Sequence, residues 1–564
     1  MGEKIVSERV FIFVLFFISL ILSFYLFLRG IWLVGPAQDA EYFKKKNIVV
    51  GYLQRQNKLI FNELENEPNS AVVREFLGIK FISQALPPAY RIGERGFIVS
   101  AWLHSGPMAD IFQNIFLSVF GYSLTAVRIS HIVTVILALL SVFLMSKFFR
   151  DFLAFIFVVS SSIFFYFSAF SISGGRYYFW AFIFINFSSY FLFNFFESSR
   201  FRNFLLSAIF CGLATASYVR AGLLFSAIFT ILIFAKLKTI REKFIFSLSY
   251  LVIVILFFLP TYAFWIIFYD LDTVFPRPGD ITLMRFFPRT GLKLSEAVIS
   301  RINIFDGLKI IIKDIFYSFS FYFMGADIWF DFNYKFELEN SVLPFTILLL
   351  SGFFSRKKIF FTVSLIYILI EGITFEVEGF PRRIFFIFPF FAFSISSFLR
   401  YFKDRGIVGK IFLFLFSIYF VIFQFRHNLY VLKTFREEGK FYEFSTAEIQ
   451  EDVVKFLREN NVLKIVNVSA LVNLQLVSRG EVAEYDWSFI FSIRRKSKEV
   501  FEKFFEYMKN AKEDLFVLTS WLIPAEELMS WANYYGVKME KLKDFRTEKG
   551  VVFTILRVKA DLQN

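Results

Sequence analysis

The chain has 564 residues, of which 57% are hydrophobic and 21% aromatic, with 88 phenylalanines. No single water-soluble core hides that much apolar surface, so a soluble globular protein is excluded. The formal net charge of +14 sits largely in short segments between apolar runs; no zinc module, helix-turn-helix or basic-aromatic single-strand motif accompanies it, so nucleic acid is not an expected partner. Cys211 is the sole cysteine and there are three histidines, which rules out an internal disulfide and a thiolate metal site and leaves only carboxylates for any metal.

In chain order, a short polar N-terminus carrying Lys4 and Arg9 leads into an apolar run over 10–34. It is too long for a signal-peptide core and no small-residue cleavage pattern follows, so it reads as an uncleaved first span. A charged stretch rich in Pro and Gly follows over 35–120. Further spans are expected near 128–149, 152–170, 177–196, 204–219, 222–235, 244–268, 341–354, 359–373, 384–399 and 411–425. Each approaches the length that crosses a hydrocarbon layer, giving a bundle of about eleven spans.

Orientation follows from the loops. With the N-terminus cytoplasmic, the segments 147–150, 197–202, 236–243, 355–358 and 400–410 fall inside, and all are short and basic. The segments 35–120, 269–340 and everything after Arg426 then fall outside. The C-terminal part alternates strand-like and helix-like patterns. Ser445 and Glu448 are spaced as a capping box ahead of an amphipathic helix ending near Asn460; a strand is expected at 464–469, a helix at 497–511, a strand at 515–519, a helix from Pro524 to Gly536, and a strand at 551–558. The fold class is therefore mainly α, a polytopic transmembrane bundle over 1–428 with a large first extracytoplasmic loop, followed by an extracytoplasmic soluble α/β domain over 429–564. That domain carries no glycine-rich nucleotide loop.

Chemistry-bearing residues gather at the expected outer surface. The first loop opens Gly35-Pro36-Ala37-Gln38-Asp39-Ala40-Glu41-Tyr42, placing two carboxylates just past the first span, where a half-dry interface raises a carboxylate pKa and suits it to general-base work. The same residues also fit an ordinary solvated loop. His104-Ser105-Gly106-Pro107 precedes an apolar amphipathic stretch, then Gly121, then Arg128 at the head of the next span. Arg176-Tyr177 and Arg220 stand at later outer turns, and Arg382-Arg383 precede an apolar run containing Pro389. Paired arginines hold a phosphate through bidentate hydrogen bonds, or simply anchor at lipid headgroups. Basic residues on this side run against the usual charge bias, which favours an anionic ligand there.

Taken in order, these residues resemble the glycosyltransferase C superfamily, in the branch of the protein O-mannosyltransferases and the lipid A aminoarabinose transferases. The matching features are Asp39 after the first span, the His104–Pro107 loop, the stretch over 110–120, Gly121, Arg128, Arg176-Tyr177, and Arg382-Arg383 ahead of Pro389. The chain departs from the family pattern in separating the two acids by Ala40 and in having Gly106 where a first proline is usual. The resemblance covers about residues 1–425 and implies transfer of a sugar from a polyprenyl-phosphate donor to an extracytoplasmic lipid, glycan or protein acceptor, with inversion. It implies Asp39 as base with Glu41 assisting, Arg382, Arg383 and Arg176 on the donor phosphate, and His104, Tyr42, Arg128, Tyr177 and Arg220 around the substrates and loop. No cofactor is expected, a divalent metal being left open. Membrane lipids are the remaining expected partners, and the expected location is a prokaryotic cell membrane. The rival readings are a ligase or polymerase of lipid-linked glycans, for which the segment 269–340 is long enough, and a non-enzymatic transporter, against which stands the absence of an internal repeat.

Overall fold

The computed structural model describes residues 2–36, four short strands between 72 and 100, most of 112–170, then 176–268, 358–374, 385–441, 444–486 and 498–560 with a few single-residue gaps. Its first helix, α1 (Gly2–Leu33), is followed by the four-stranded antiparallel meander β1 (Val72–Phe76), β2 (Ile79–Ser83), β3 (Pro88–Arg91) and β4 (Ile98–Ser100). The first long loop thus contains a sheet that the periodicity does not announce. Helices α2 (Leu124–Phe148), α3 (Phe152–Ser160), α4 (Ser162–Phe170), α5 (Arg176–Ser198), α6 (Phe201–Ser217), α7 (Val219–Lys236), α8 (Ile240–Phe268), α9 (Lys358–Thr374), α10 (Phe388–Lys403) and α11 (Ile407–Glu438) build the bundle. The expected span at 341–354 lies outside the described residues.

Helix starts are set by side chains that satisfy otherwise orphaned N–H groups. Ser123 accepts from the Ala126 N–H at 3.2 Å to cap α2, and Asp151 accepts from the Ala154 N–H at 3.3 Å to cap α3. Among the described residues, five helices are long and apolar enough to cross a membrane, or six if the bent pair α3 and α4 is one span. Helix α10 is central: with the preceding turn, its apolar window is 83% buried, against 22% for α1, which therefore faces lipid along much of its length. Interhelical polar contacts supply part of the cohesion that hydrophobicity cannot give inside lipid. Ser188 of α5, Ser207 of α6 and Tyr250 of α8 meet with oxygen separations of 3.1–3.2 Å.

One expected span is corrected. Residues 152–170 are not one straight helix: α3 and α4 meet at Ser161 with a bend of 55°. The break frees backbone groups that lipid cannot satisfy. Gln424 of α11, fully buried, takes up that role by accepting from the Ser162 N–H at 2.8 Å and from the Ser162 hydroxyl.

Beyond α11 the chain folds into an α/β domain. The helix stops at Gly439, whose φ of +66° is the left-handed cap conformation that disfavours other residues. The hairpin β5 (Lys440–Phe441) and β6 (Phe444–Ser445) leads to α12 (Ala447–Glu459), then β7 (Lys464–Asn467), α13 (Leu474–Val477), β8 (Ala483–Asp486), α14 (Lys498–Lys509), β9 (Leu515–Ser520), α15 (Ala525–Tyr534), β10 (Met539–Thr547) and β11 (Gly550–Val558). The main sheet runs β10-β11-β9-β7-β8. Strands β7, β8 and β9 pair in parallel, and β10 and β11 close the other edge antiparallel. Alternating side chains feed two cores. Val517 and Leu556 pack with Phe504, Phe505 and Leu528 of α14 and α15, whereas Leu518 and Ile555 pack with Val453 and Leu457 of α12. The expected capping box is also corrected. Thr446, not Ser445, is the N-cap residue of α12, and its side chain makes no cap bond. Ser445 is instead drawn into β6, for a reason seen at the end of α1.

Candidate functional site

The last turn of α1 presents carbonyls with no helical partner. Arg128, in the first turns of α2 and only 7% exposed, supplies the donors: its Nε donates to the Ile31 carbonyl at 3.0 Å and its Nη2 to the Trp32 carbonyl at 2.7 Å. Its guanidinium also lies 4.5 Å from the centre of the Trp32 ring, a cation–π contact. A planar fork with several fixed donors suits this task, and a lysine cannot reproduce it.

Immediately beyond, the chain is fastened to the α/β domain. Val34 pairs with Thr446, and the Gly35 N–H donates to the Ser445 carbonyl at 3.0 Å. The Pro36 carbonyl accepts twice, from Gln450 Nε2 at 3.2 Å and from the Asn473 N–H at 3.1 Å. Gln450 is itself located by donating to the Ser445 hydroxyl at 2.7 Å. Gln450 and Ser445 are fully buried and Asn473 nearly so. Asn473 also caps α13, accepting from the Leu476 N–H at 3.0 Å. Gly35 is required by contact: a Cβ there would lie 2.4 Å from Gln450 Nε2. Residues more than 400 positions apart in sequence thus hold the peptide that leads out of the membrane toward Asp39.

The same end of the bundle gathers the starts of three other segments. Tyr178 in the first turn of α5, Tyr218 between α6 and α7, and Phe386 just before α10 form one aromatic cluster. Ring centres lie 4.8 Å apart for Tyr178 and Tyr218, 5.5 Å for Tyr218 and Phe386, and 6.0 Å for Tyr178 and Phe386. Phe385 stacks on Phe167 at 3.9 Å and on Phe182 at 4.3 Å. Phe170 at the end of α4 meets Phe435 near the end of α11 at 5.4 Å, which puts this cluster on the side of the α/β domain. His131, 1% exposed, bridges α2 to the end of α4, its Nε2 lying 2.7 Å from the Ser168 carbonyl.

Against the expected site residues, Arg128 is placed in full, as the clamp on α1. Arg176 and Tyr177 are the first two residues of α5, directly before Tyr178, and Arg220 is the second residue of α7, two positions after Tyr218. Arg382 and Arg383 lie outside the described residues, but Phe385 follows Arg383 by two positions. The starts of α5 and α7 and the turn before α10 therefore converge on one cluster. Asp39, Glu41, Tyr42 and His104 lie outside the described residues. Among the described residues, no three His, Cys, Asp or Glu side chains are grouped to hold a metal ion. Sequence reading missed Gln450, Ser445 and Asn473, because nothing local distinguishes a buried polar residue whose partner is the far end of the chain. Gly35-Pro36 was the one available signal.

Residues 104–265 match the family model of dolichyl-phosphate-mannose-protein mannosyltransferases. No curated protein matches the chain in sequence. Two solved structures align with it over nearly the whole length. The crystal structure of ArnT from Cupriavidus metallidurans in the apo state is 9% identical, with a TM-score of 0.50, covering 97% of this chain and 98% of that one. The same protein bound to undecaprenyl phosphate is 8% identical, with a TM-score of 0.49, covering 95% of this chain and 97% of that one. The chain is a membrane protein of the glycosyltransferase C fold, built around a segment that matches the mannosyltransferase family.

Proposed function

We propose that the protein transfers a sugar from a polyprenyl-phosphate donor to an acceptor hydroxyl on a lipid, glycan or protein outside the cytoplasm. In this reading Asp39 takes the acceptor proton, with Glu41 assisting. Attack on the face opposite the lipid phosphate inverts the anomeric centre. The leaving lipid phosphate is already a good anion, so cations that stabilise its growing charge matter more than a general acid. Arg382, Arg383 and Arg176 take that role, and His104, Tyr42, Tyr177 and Arg220 line the substrates. Arg128 acts at one remove, by fixing the end of α1.

The observation that supports this reading is the double anchorage of the peptide before Asp39. Arg128 holds Ile31 and Trp32, and Gln450 and Asn473 hold Pro36. Pro36, the last anchored residue, precedes Asp39 by three positions, and three residues of chain span at most about 10 Å. A base must sit within hydrogen-bond reach of the proton it removes, and a misplacement of about 1 Å can cost about a hundredfold.

The test is release of free polyprenyl phosphate in proteoliposomes supplied with a panel of polyprenyl-phosphate sugars, comparing wild type with Asp39→Asn. Release that is abolished in the folded variant supports the assignment. Release that persists moves the base to another residue. Binding without release with every donor points to a missing acceptor or to ligation of whole glycans, and neither binding nor release points to transport.

A further inference from the structure

The fastened end of α1 leaves its other end free for a different role. Arg9 lies 24 residues before Leu33 in the same helix, about 36 Å away at the helical rise. At that end a cavity of about 700 Å³ opens among α1, α2, α3 and α10. Its lining contains four cations, Arg9, Arg150, Arg400 and Lys403, and no carboxylate. Of the neighbouring acids, Asp151, beside Arg150, is 3% exposed; it accepts from the Ser396 hydroxyl at 2.6 Å and pairs with Arg400 Nη2 at 3.2 Å. Arg400 thus pairs with an acid behind the wall, and the lining itself carries only positive charge.

Arg400 is held in place. Arg400 Nη1 donates to the Arg150 carbonyl at 3.3 Å, while its Nε–H is buried without a hydrogen-bond partner. Arg150 has a φ of +53° in the tight turn between α2 and α3, a left-handed position where glycine or asparagine is easier. The remaining wall is aromatic. Phe16 packs its ring 5.0 Å from Phe155, and Phe13 meets Phe17 at 4.6 Å. Phe13 and Phe17 are 62% and 44% exposed on the outer flank of α1, so the cavity opens sideways toward hydrocarbon.

A charged rim at a helix end, joined to an apolar wall that opens into the bilayer, matches an amphiphile with an anionic head. Arginine forks match phosphate oxygens, and basic pockets between transmembrane helices take phospholipid headgroups. A choline or ethanolamine head would bring its own cation against four others. We propose that this cavity binds an anionic glycerophospholipid of the adjoining leaflet, with the phosphate among Arg9, Arg150 and Arg400 and one acyl chain along Phe13 and Phe17. The site is at the opposite end of α1 from the anchored peptide and does not depend on the glycosyl-transfer reading.

The test is native mass spectrometry of the full chain released from vesicles of phosphatidylcholine mixed with phosphatidylglycerol, with and without millimolar inorganic phosphate. Wild type should retain phosphatidylglycerol in preference to phosphatidylcholine. Arg9→Gln, at an exposed position, and Lys403→Gln, at a half-buried one, both outside the Arg400–Asp151 pair, should each weaken retention about fivefold, the effect of about one surface charge. Phe13→Ala with Phe17→Ala should weaken it with all four cations intact. Equal retention of the two lipids, retention unchanged in the charge variants, or complete displacement by inorganic phosphate would each overturn the proposal, the last by making the ligand a free anion.

Discussion

Replacing Gln450 by leucine removes the two hydrogen bonds that its Nε2 donates. Nε2 donates to the Pro36 carbonyl at 3.2 Å and to the Ser445 hydroxyl at 2.7 Å, in a fully buried setting. Leucine has nearly the same volume, so no large void follows. At about 0.5–1.5 kcal/mol per bond, the anchorage loses about 1–3 kcal/mol. The Pro36 carbonyl keeps its bond from the Asn473 N–H, so the peptide loosens rather than detaches. If that loosening is felt by the base three residues on, kcat falls between about 5-fold and about 150-fold. The assay is steady-state release of polyprenyl phosphate from proteoliposomes, with the donor varied for KM and a melting curve on the same samples. The expected pattern is a lowered kcat, a donor KM within about twofold of wild type, and a protein that remains folded. A kcat equal to wild type in the folded variant would refute the claim that the α/β domain positions the reacting peptide.

Further outcomes follow from the same contacts. Arg128→Ala should destabilise the bundle by about 3–6 kcal/mol, from two bonds to a charged group at about 1.5–3 kcal/mol each; Arg128→Lys should recover only part, as read by thermal unfolding in detergent. Phe385→Ala removes close ring pairs with Phe167 and Phe182, worth about 1–3 kcal/mol together; donor binding should weaken with stability, since the residue follows Arg383 by two positions. In the α/β domain, the Ala560 N–H and then the Arg557 guanidinium hold the Asp514 carboxylate below its ordinary pKa. A depressed folded pKa gives stability above the unfolded value of about 3.9 that is lost as pH falls through the folded value. Hydrogen exchange in β9 and β11 should therefore speed up toward that acid range in wild type, and Asp514→Asn should show a flatter pH dependence; an identical profile would remove Asp514 from the account.

Most of the bundle was legible in the sequence because a membrane imposes a one-dimensional rule. An apolar run long enough to cross hydrocarbon, ended by charge, becomes a helix with little reference to its neighbours. So α1, α2 and α5 to α8 fall where the apolar runs place them, and the strand and helix periods of the α/β domain are mostly recovered. The failures have one cause. The bend at Ser161 depends on Gln424, the four-stranded meander depends on pairing within a polar loop, and the capping residue of α12 shifts because Ser445 is taken by Gly35. Each is decided by pairing with another segment, remote in sequence for the bend and the cap and neighbouring for the meander, that no local pattern announces.

The candidate site divides the same way. The family resemblance carried by residue order is what points to Asp39, Arg128, Arg176 and Arg382-Arg383 as expected site residues. Only the tertiary structure brings the starts of α5, α7 and α10 onto one aromatic cluster and ties Pro36 to Gln450 and Asn473. Local sequence carries what a residue can do with water, lipid and its own helix. Which distant donor meets a buried carbonyl is settled by packing, where an unpaired polar group is too costly to leave and its partner comes from wherever the fold brings one.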